Sequence, residues 1–147
     1  MFVILAMSSF GIVFNITYAL SPSSDEIYEG IDVSAYQGYI DYQRVKAYGI
    51  EVVYIKSSEG TYLEDPYFRT NYNNAKYNGL KVGFYHFIRA RTESEAFQEA
   101  EFFSKVIAGT KPDCRLAMDF EVFGDLNRDE INRISIAFLR ESKGINK

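Results

Sequence analysis

The sequence predicts an α/β fold, a TIM-like (β/α) barrel of which four βα units are present. Three observations carry that expectation. Strand-type and helix-type segments alternate four times between residues 27 and 144, an order that implies right-handed crossovers and a parallel sheet. The turn after the first strand, "DVSAYQGYID", holds only Gly38 and lacks the G-x-G-x-x-G run or phosphate-loop lysine of a doubly wound nucleotide-binding sheet. Polar residues gather where the strands end at their C-termini, the edge on which barrels place their chemistry. They are Asp32 on the first strand, Lys56 to Glu59 on the second, Tyr85 and His86 on the third, and Asp119 and Glu121 on the fourth.

Each element has its own signal. "IYEGIDVS" (27–34) is a short β-type run, and "IDYQRVKAYG" (40–49) reads as a helix stopped by Gly49. "IEVVYIKSS" (50–58) is rich in β-branched residues and predicts a strand. "EDPYFRTNYNNAKYNG" (64–79) opens on Asp65 and Pro66, a cap and first-turn pair, and closes on Gly79. "LKVGFYHFI" (80–88) is the third strand. In "TESEAFQEAEFFSKVIAG" (92–109), Thr92 with Glu95 forms a capping box, while Ala96, Ala100, Phe103 and Ile107 share one face. "CRLAMDFEV" (114–122) is the fourth strand, and 126–144 is a helix with Ile131, Ile134 and Phe138 on one face.

The chain has 147 residues, 47% of them hydrophobic, enough for one domain with a sizeable core. Its net charge of -4 and lack of a basic stripe argue against a nucleic-acid partner, which requires clustered Lys and Arg. The 12 Tyr and 12 Phe, with no Trp, suit a site that stacks on sugars, or simply fill half-exposed positions. A single cysteine, Cys114, allows no internal disulfide and has no basic neighbour but Arg115 to activate it. One histidine and no Cys/His cluster predict no metal and no cofactor. Residues 2–20 carry no charge and precede "SPSSDE", the pattern of a secretory signal cut after Ala19, or of an uncleaved membrane anchor. The expected organisation is therefore 1–20 signal or anchor, 21–27 linker and 28–147 barrel, with a secreted product that leaves the membrane once cleaved.

"RLAMDFEV" (115–122) puts two carboxylates into an apolar run. On a strand, Asp119 and Glu121 face the same way with backbones roughly 6.7 Å apart. Two acids that close and partly desolvated do not both ionise easily, so one gains proton affinity over the other. Glycoside hydrolysis needs such a pair, an acid for the leaving oxygen and a carboxylate for the developing positive charge. Pairing with Lys or Arg, capping of the next helix, or a divalent metal are the alternatives. Asp32, at the end of the first strand, would bring a third acid to the same mouth.

Together, "YEGIDVSAYQGYIDYQRVKAYGIEVVYIKSSEGTYLEDPYFRTNYNNAKYNGLKVGFYHF" and "LAMDFE" resemble glycoside hydrolase family 25, the secreted and phage-type lysozymes. G-I-D-V-S, Q-G-x-I-D, K-x-x-E-G, D-P-x-F, G-x-Y-H-F and D-x-E occur in the family's order, from about Gly30 to Glu121. The resemblance implies a 1,4-β-N-acetylmuramidase acting on peptidoglycan glycan strands at the cell wall. It implies Glu121 as general acid, Asp119 as transition-state stabiliser, and Asp32 as a sugar-orienting or charge-supporting acid. Tyr85, Glu59 and His86 match cleft positions, with Tyr36 and Gln37 as further substrate contacts. Glu59 could instead pair with Lys56, and His86 could be a satisfied buried imidazole. Two departures stand out: Tyr42 replaces the family's usual Trp, and the strands of an eight-stranded barrel beyond the fourth are missing. Residues 28–147 thus correspond to the N-terminal part of a catalytic barrel, truncated at its C-terminus. A non-catalytic wall-binding remnant and a barrel enzyme for another glycan are the competing readings, and the sequence leaves the oligomeric state open.

Overall fold

β-Branched and aromatic residues open "VVYIKSSE", and this segment is the longest strand among the described residues. The structure, a computed structural model, describes residues 27–142. The predicted signal or anchor therefore lies outside the described residues. Among those described, no helix is long and apolar enough to cross a membrane. The elements in chain order are β1 (Gly30–Val33), a 3-10 turn (Ala35–Gln37), α1 (Tyr42–Ala47), β2 (Val52–Glu59), β3 (Leu63–Glu64), α2 (Phe68–Tyr77), β4 (Lys81–Phe87), α3 (Glu93–Ile107), β5 (Ala117–Asp119) and α4 (Arg128–Ser142). β1, β2, β4 and β5 pair in parallel and lie side by side in that order. Among the described residues the strand order never reverses, so these strands form no switch point of the doubly wound kind.

One face of the sheet forms the core. Val53 and Ile55 of β2 and Val82 and Phe84 of β4 are wholly buried. Phe84 receives the rings of Phe68 and Tyr72 from α2, at centroid distances of 5.1 and 5.6 Å. Farther along, Phe103 of α3 and Phe138 of α4 pack together at 6.0 Å. The capping box between Thr92 and Glu95 is present, and Ala96, Ala100, Phe103 and Ile107 are buried, as their spacing predicts. Ile134 and Phe138 are likewise buried, and Asn127 accepts the Asp129 and Glu130 N–H groups at the start of α4.

Three boundaries differ from expectation, each for a local reason. α1 begins at Tyr42 because the Asp41 carboxylate accepts the Arg44 N–H. Asp65 does not cap α2 from its first turn. Its two oxygens instead accept the N–H groups of Tyr67 and Ala35, which ties the loop after β1 to the start of α2. β5 is shorter than 114–122, since the N–H groups of Asp113 and Cys114 both turn to the Val82 carbonyl. The short β3, which folds back antiparallel on the end of β2, had no signal in the sequence.

Tyr42, in the place of the expected Trp, is buried, and its hydroxyl has no hydrogen-bond partner among the described residues. An unpartnered buried hydroxyl costs about 1–3 kcal/mol. Tyr42→Phe is therefore expected to raise the urea midpoint by about 1 kcal/mol equivalent, with an unchanged slope.

Candidate active site

Side chains alternate along a strand, so the residues between the buried ones share the opposite face. The register places Asp32 beside Tyr54, Tyr54 beside Gly83, Lys56 beside Tyr85, Tyr85 beside Ala117 and Phe87 beside Asp119. All of these lie on the face turned away from the helices. Tyr54 lies flat over Gly83, where an added Cβ would come within 2.5 Å of its ring, and its hydroxyl donates to the Arg115 carbonyl.

Asp119 closes β5 on this face, and Glu121 follows it in the loop. Asp119 is half-buried, and its carboxyl is pushed from an ordinary 3.8 up to about 6. Burial is the largest cause, followed by the charge of Glu121 and a hydrogen bond with it; Asp32 adds to the effect and Lys56 opposes it. The Tyr85 phenol also ionises less readily, first because it is buried and then because the charges of Asp32, Asp119 and Asp65 surround it. The acids from the first and last strands thus act on one another and on the tyrosine between them. The member of the pair that gains proton affinity is Asp119, whereas the resemblance pointed to Glu121 as the acid.

A consequence for stability follows. Between about pH 4 and 6, folded Asp119 keeps a proton that the unfolded chain has released. Stability therefore falls as pH rises through that window. Asp119→Asn is expected to unfold at higher urea than the parent at pH 7 and at the same urea below pH 4.

The remaining predicted residues divide. Glu59 does face the mouth, with both oxygens engaged: Oε2 by Lys56 Nζ at 2.6 Å, Oε1 by Arg89 at 2.7 and 2.8 Å. Burial works against its charge, but the hydrogen bonds from Lys56 and Arg89 prevail and hold its carboxyl below the usual range. Tyr36 is 94% exposed on the 3-10 turn. Gln37 beside it is occupied within that turn, its side chain accepting the Ser34 N–H at 2.8 Å.

His86 does not reach the mouth. Its register partner is Met118, one residue out of phase with Asp119, so its ring points into the helix layer and is 0% exposed. There it stacks on Phe138 at 5.3 Å, with Ser58 Oγ at 2.8 Å from Nδ1 and Glu99 Oε2 at 3.1 Å from Nε2. The buried-imidazole alternative is the one observed, and the expected substrate contact at His86 is corrected accordingly.

Lys56 and Tyr54 share the helix-free face, and Arg89 reaches it through Glu59, without any of them having been singled out as site residues. A lysine inside the apolar run "VVYIKSS" was the available signal for the first. The Cys114 thiol is pushed up by burial and by the charge of Asp113, which keeps it unreactive.

Against this geometry stand the comparisons with known proteins. The family model described as "Glycosyl hydrolases family 25" matches residues 31–147. The chain belongs to glycosyl hydrolase family 25. Among its relatives, it is 42% identical over 104 residues to the autolytic lysozyme of Clostridium acetobutylicum, covering 71% of this chain and 31% of that protein. It is 38% identical over 96 residues to lysozyme M1 of Streptomyces globisporus, covering 65% and 32%. The solved muramidase of Acremonium alcalophilum superposes with a TM-score of 0.67 at 28% identity, covering 79% of this chain and 60% of that one. The chain thus spans about a third of the length of the curated relatives it matches.

Proposed function

We propose that this family 25 chain is part of a peptidoglycan hydrolase that cleaves the β-1,4 bond between N-acetylmuramic acid and N-acetylglucosamine. The observation that carries the reading is the Asp119–Glu121 pair at the C-terminal end of β5, with Asp119 raised to about 6 and Asp32 and Tyr85 in electrostatic reach. Asp119 keeps its proton into mildly acidic pH, hydrogen-bonded with Glu121. Glu121, the exposed member, is placed to pass it to the leaving oxygen. Asp119, within electrostatic reach of Glu121 and Lys56, faces the charge that develops at the anomeric carbon. Asp32 and Tyr85 orient the sugar, and Tyr36 lines the approach.

In this reading the four parallel strands are the first four of a (β/α) barrel, and their helix-free face lines its interior. Export with a cut after Ala19 fits a substrate outside the cell.

The test is release of reducing ends from purified cell walls, with mass analysis of the products and Glu121→Gln as control. Muramic-acid reducing ends from the parent, absent with the variant, are expected. Binding of both proteins to walls without release of reducing ends would overturn hydrolysis in favour of a wall-binding domain. Products cut at another linkage would overturn the substrate.

A further inference from the structure

Ser58, His86 and Glu99 form a hydrogen-bonded chain with the residue types of a hydrolytic triad, but at 0%, 0% and 3% exposure no substrate reaches it. Its protons can be assigned. The Glu99 carboxylate already accepts the Arg89 N–H, at 3.0 Å to Oε2 and 3.3 Å to Oε1. With this group as acceptor the hydrogen lies on His86 Nε2, which leaves Nδ1 to accept from the Ser58 hydroxyl. Burial lowers the proton affinity of His86, although Glu99 opposes this.

The chain ends at a fault in the sheet. Lys56 pairs with Tyr85, but Ser58 rather than Ser57 pairs with His86, so Ser57 is an extra residue in β2. Its polar groups are satisfied: Oγ donates to the Tyr85 carbonyl at 3.1 Å, and its carbonyl accepts the Asp65 N–H at 2.9 Å. Because strand side chains alternate, one extra residue reverses the facing of everything after it. Ser58 turns into the helix layer against His86, and Glu59 turns onto the mouth beside Phe87. Without the bulge Glu59 would face the helices. From the mouth Glu59 holds Lys56, whose ammonium sits 4.7 Å from the Phe87 ring centroid, and Phe87 is the register partner of Asp119.

We propose that Ser58, His86 and Glu99 are positioning residues: they lock the Ser57 bulge, which aims Glu59 into the mouth and so fixes Lys56 beside Asp119. This deepens the reading of the carboxylate pair as the reactive site, but its readout does not require hydrolysis. The charged and titratable groups facing Asp119 are Asp32 from β1, Lys56 from β2, Tyr85 from β4 and Glu121 from its own loop. Glu59 and Arg89 act at one remove, through Lys56 and over Phe87. Lys56 is the group among these that lowers the proton affinity of Asp119, so releasing it moves the Asp119 titration upward.

The experiment is a carboxyl-carbon NMR titration of Asp119 in the full chain, for the parent, Ser58→Ala, Glu99→Gln and Lys56→Met. Lys56→Met is expected to raise the midpoint by about half a pH unit or more. Ser58→Ala and Glu99→Gln should raise it in the same direction by less, and add nothing in the Lys56→Met background. Ring-nitrogen shifts should show the hydrogen of the neutral His86 ring on Nε2, facing Glu99. If both network variants stay folded, even with lower melting temperatures, and leave the Asp119 midpoint unmoved, the proposal is overturned. A shift that persists in full without Lys56 overturns it too. Failure of the hydrolase reading would show separately, as missing reducing ends with these titrations intact.

Discussion

Glu121→Gln is expected to lower kcat for reducing-end release by about 10²–10⁴-fold, with KM changed by no more than a few-fold, the signature of a lost proton transfer in the transition state. The amide keeps the shape of the side chain but cannot exchange a proton at neutral pH. The same substitution removes from Asp119 the neighbouring negative charge that raises it. An amide N–H can moreover donate to the Asp119 carboxylate. The midpoint of Asp119 should therefore fall from about 6 toward the ordinary carboxylate range. Activity and titration thus report on one residue in two ways. A variant that loses activity with the Asp119 midpoint fixed would show that Glu121 is not what raises Asp119.

Phe84→Ala is expected to cost about 3–5 kcal/mol of folding free energy, read from urea unfolding. The ring is wholly buried at the centre of β4 and receives Phe68 and Tyr72 of α2 edge-on. Its removal leaves a cavity between the sheet and α2 that the flanking backbone cannot fill. That loss is a large part of the 5–15 kcal/mol that holds a typical domain folded. The contrast is Tyr77→Ala at the end of α2, 90% exposed, expected to stay within about 0.5 kcal/mol of the parent.

The helices could be read from the sequence because their signals are local. Thr92 and Glu95 sit three apart, and the apolar residues of 96–107 repeat at helical spacing whatever packs on them. The parallel order followed from alternation alone. The mouth was legible in part. Asp32, Asp119 and Tyr85 share a face and influence one another, as alternation and their strand-end positions required. His86 was misplaced because facing on a strand changes with every residue, and its neighbour Tyr85 already occupied the mouth. The facing of Glu59 depends on the extra residue at Ser57, which no propensity or spacing reveals, since Ser-Ser reads equally well with or without a bulge. β5 was drawn too long because "CRLAMDFEV" is largely apolar, while the Asp113 and Cys114 amides that lead into it are claimed by a single carbonyl of β4.

Tyr54 reaches from β2 across the bare backbone of Gly83 to a carbonyl at the approach to β5. It therefore works as a crossbeam, and the height of the last strand is set partly from two strands away. Positions 54 and 83 form a size-complementary couple in which bulk gained at one must be surrendered at the other. A methyl group added at 83 alone would lift the crossbeam and carry the acidic end of the last strand with it, so a change on β4 would be felt first at the paired carboxylates.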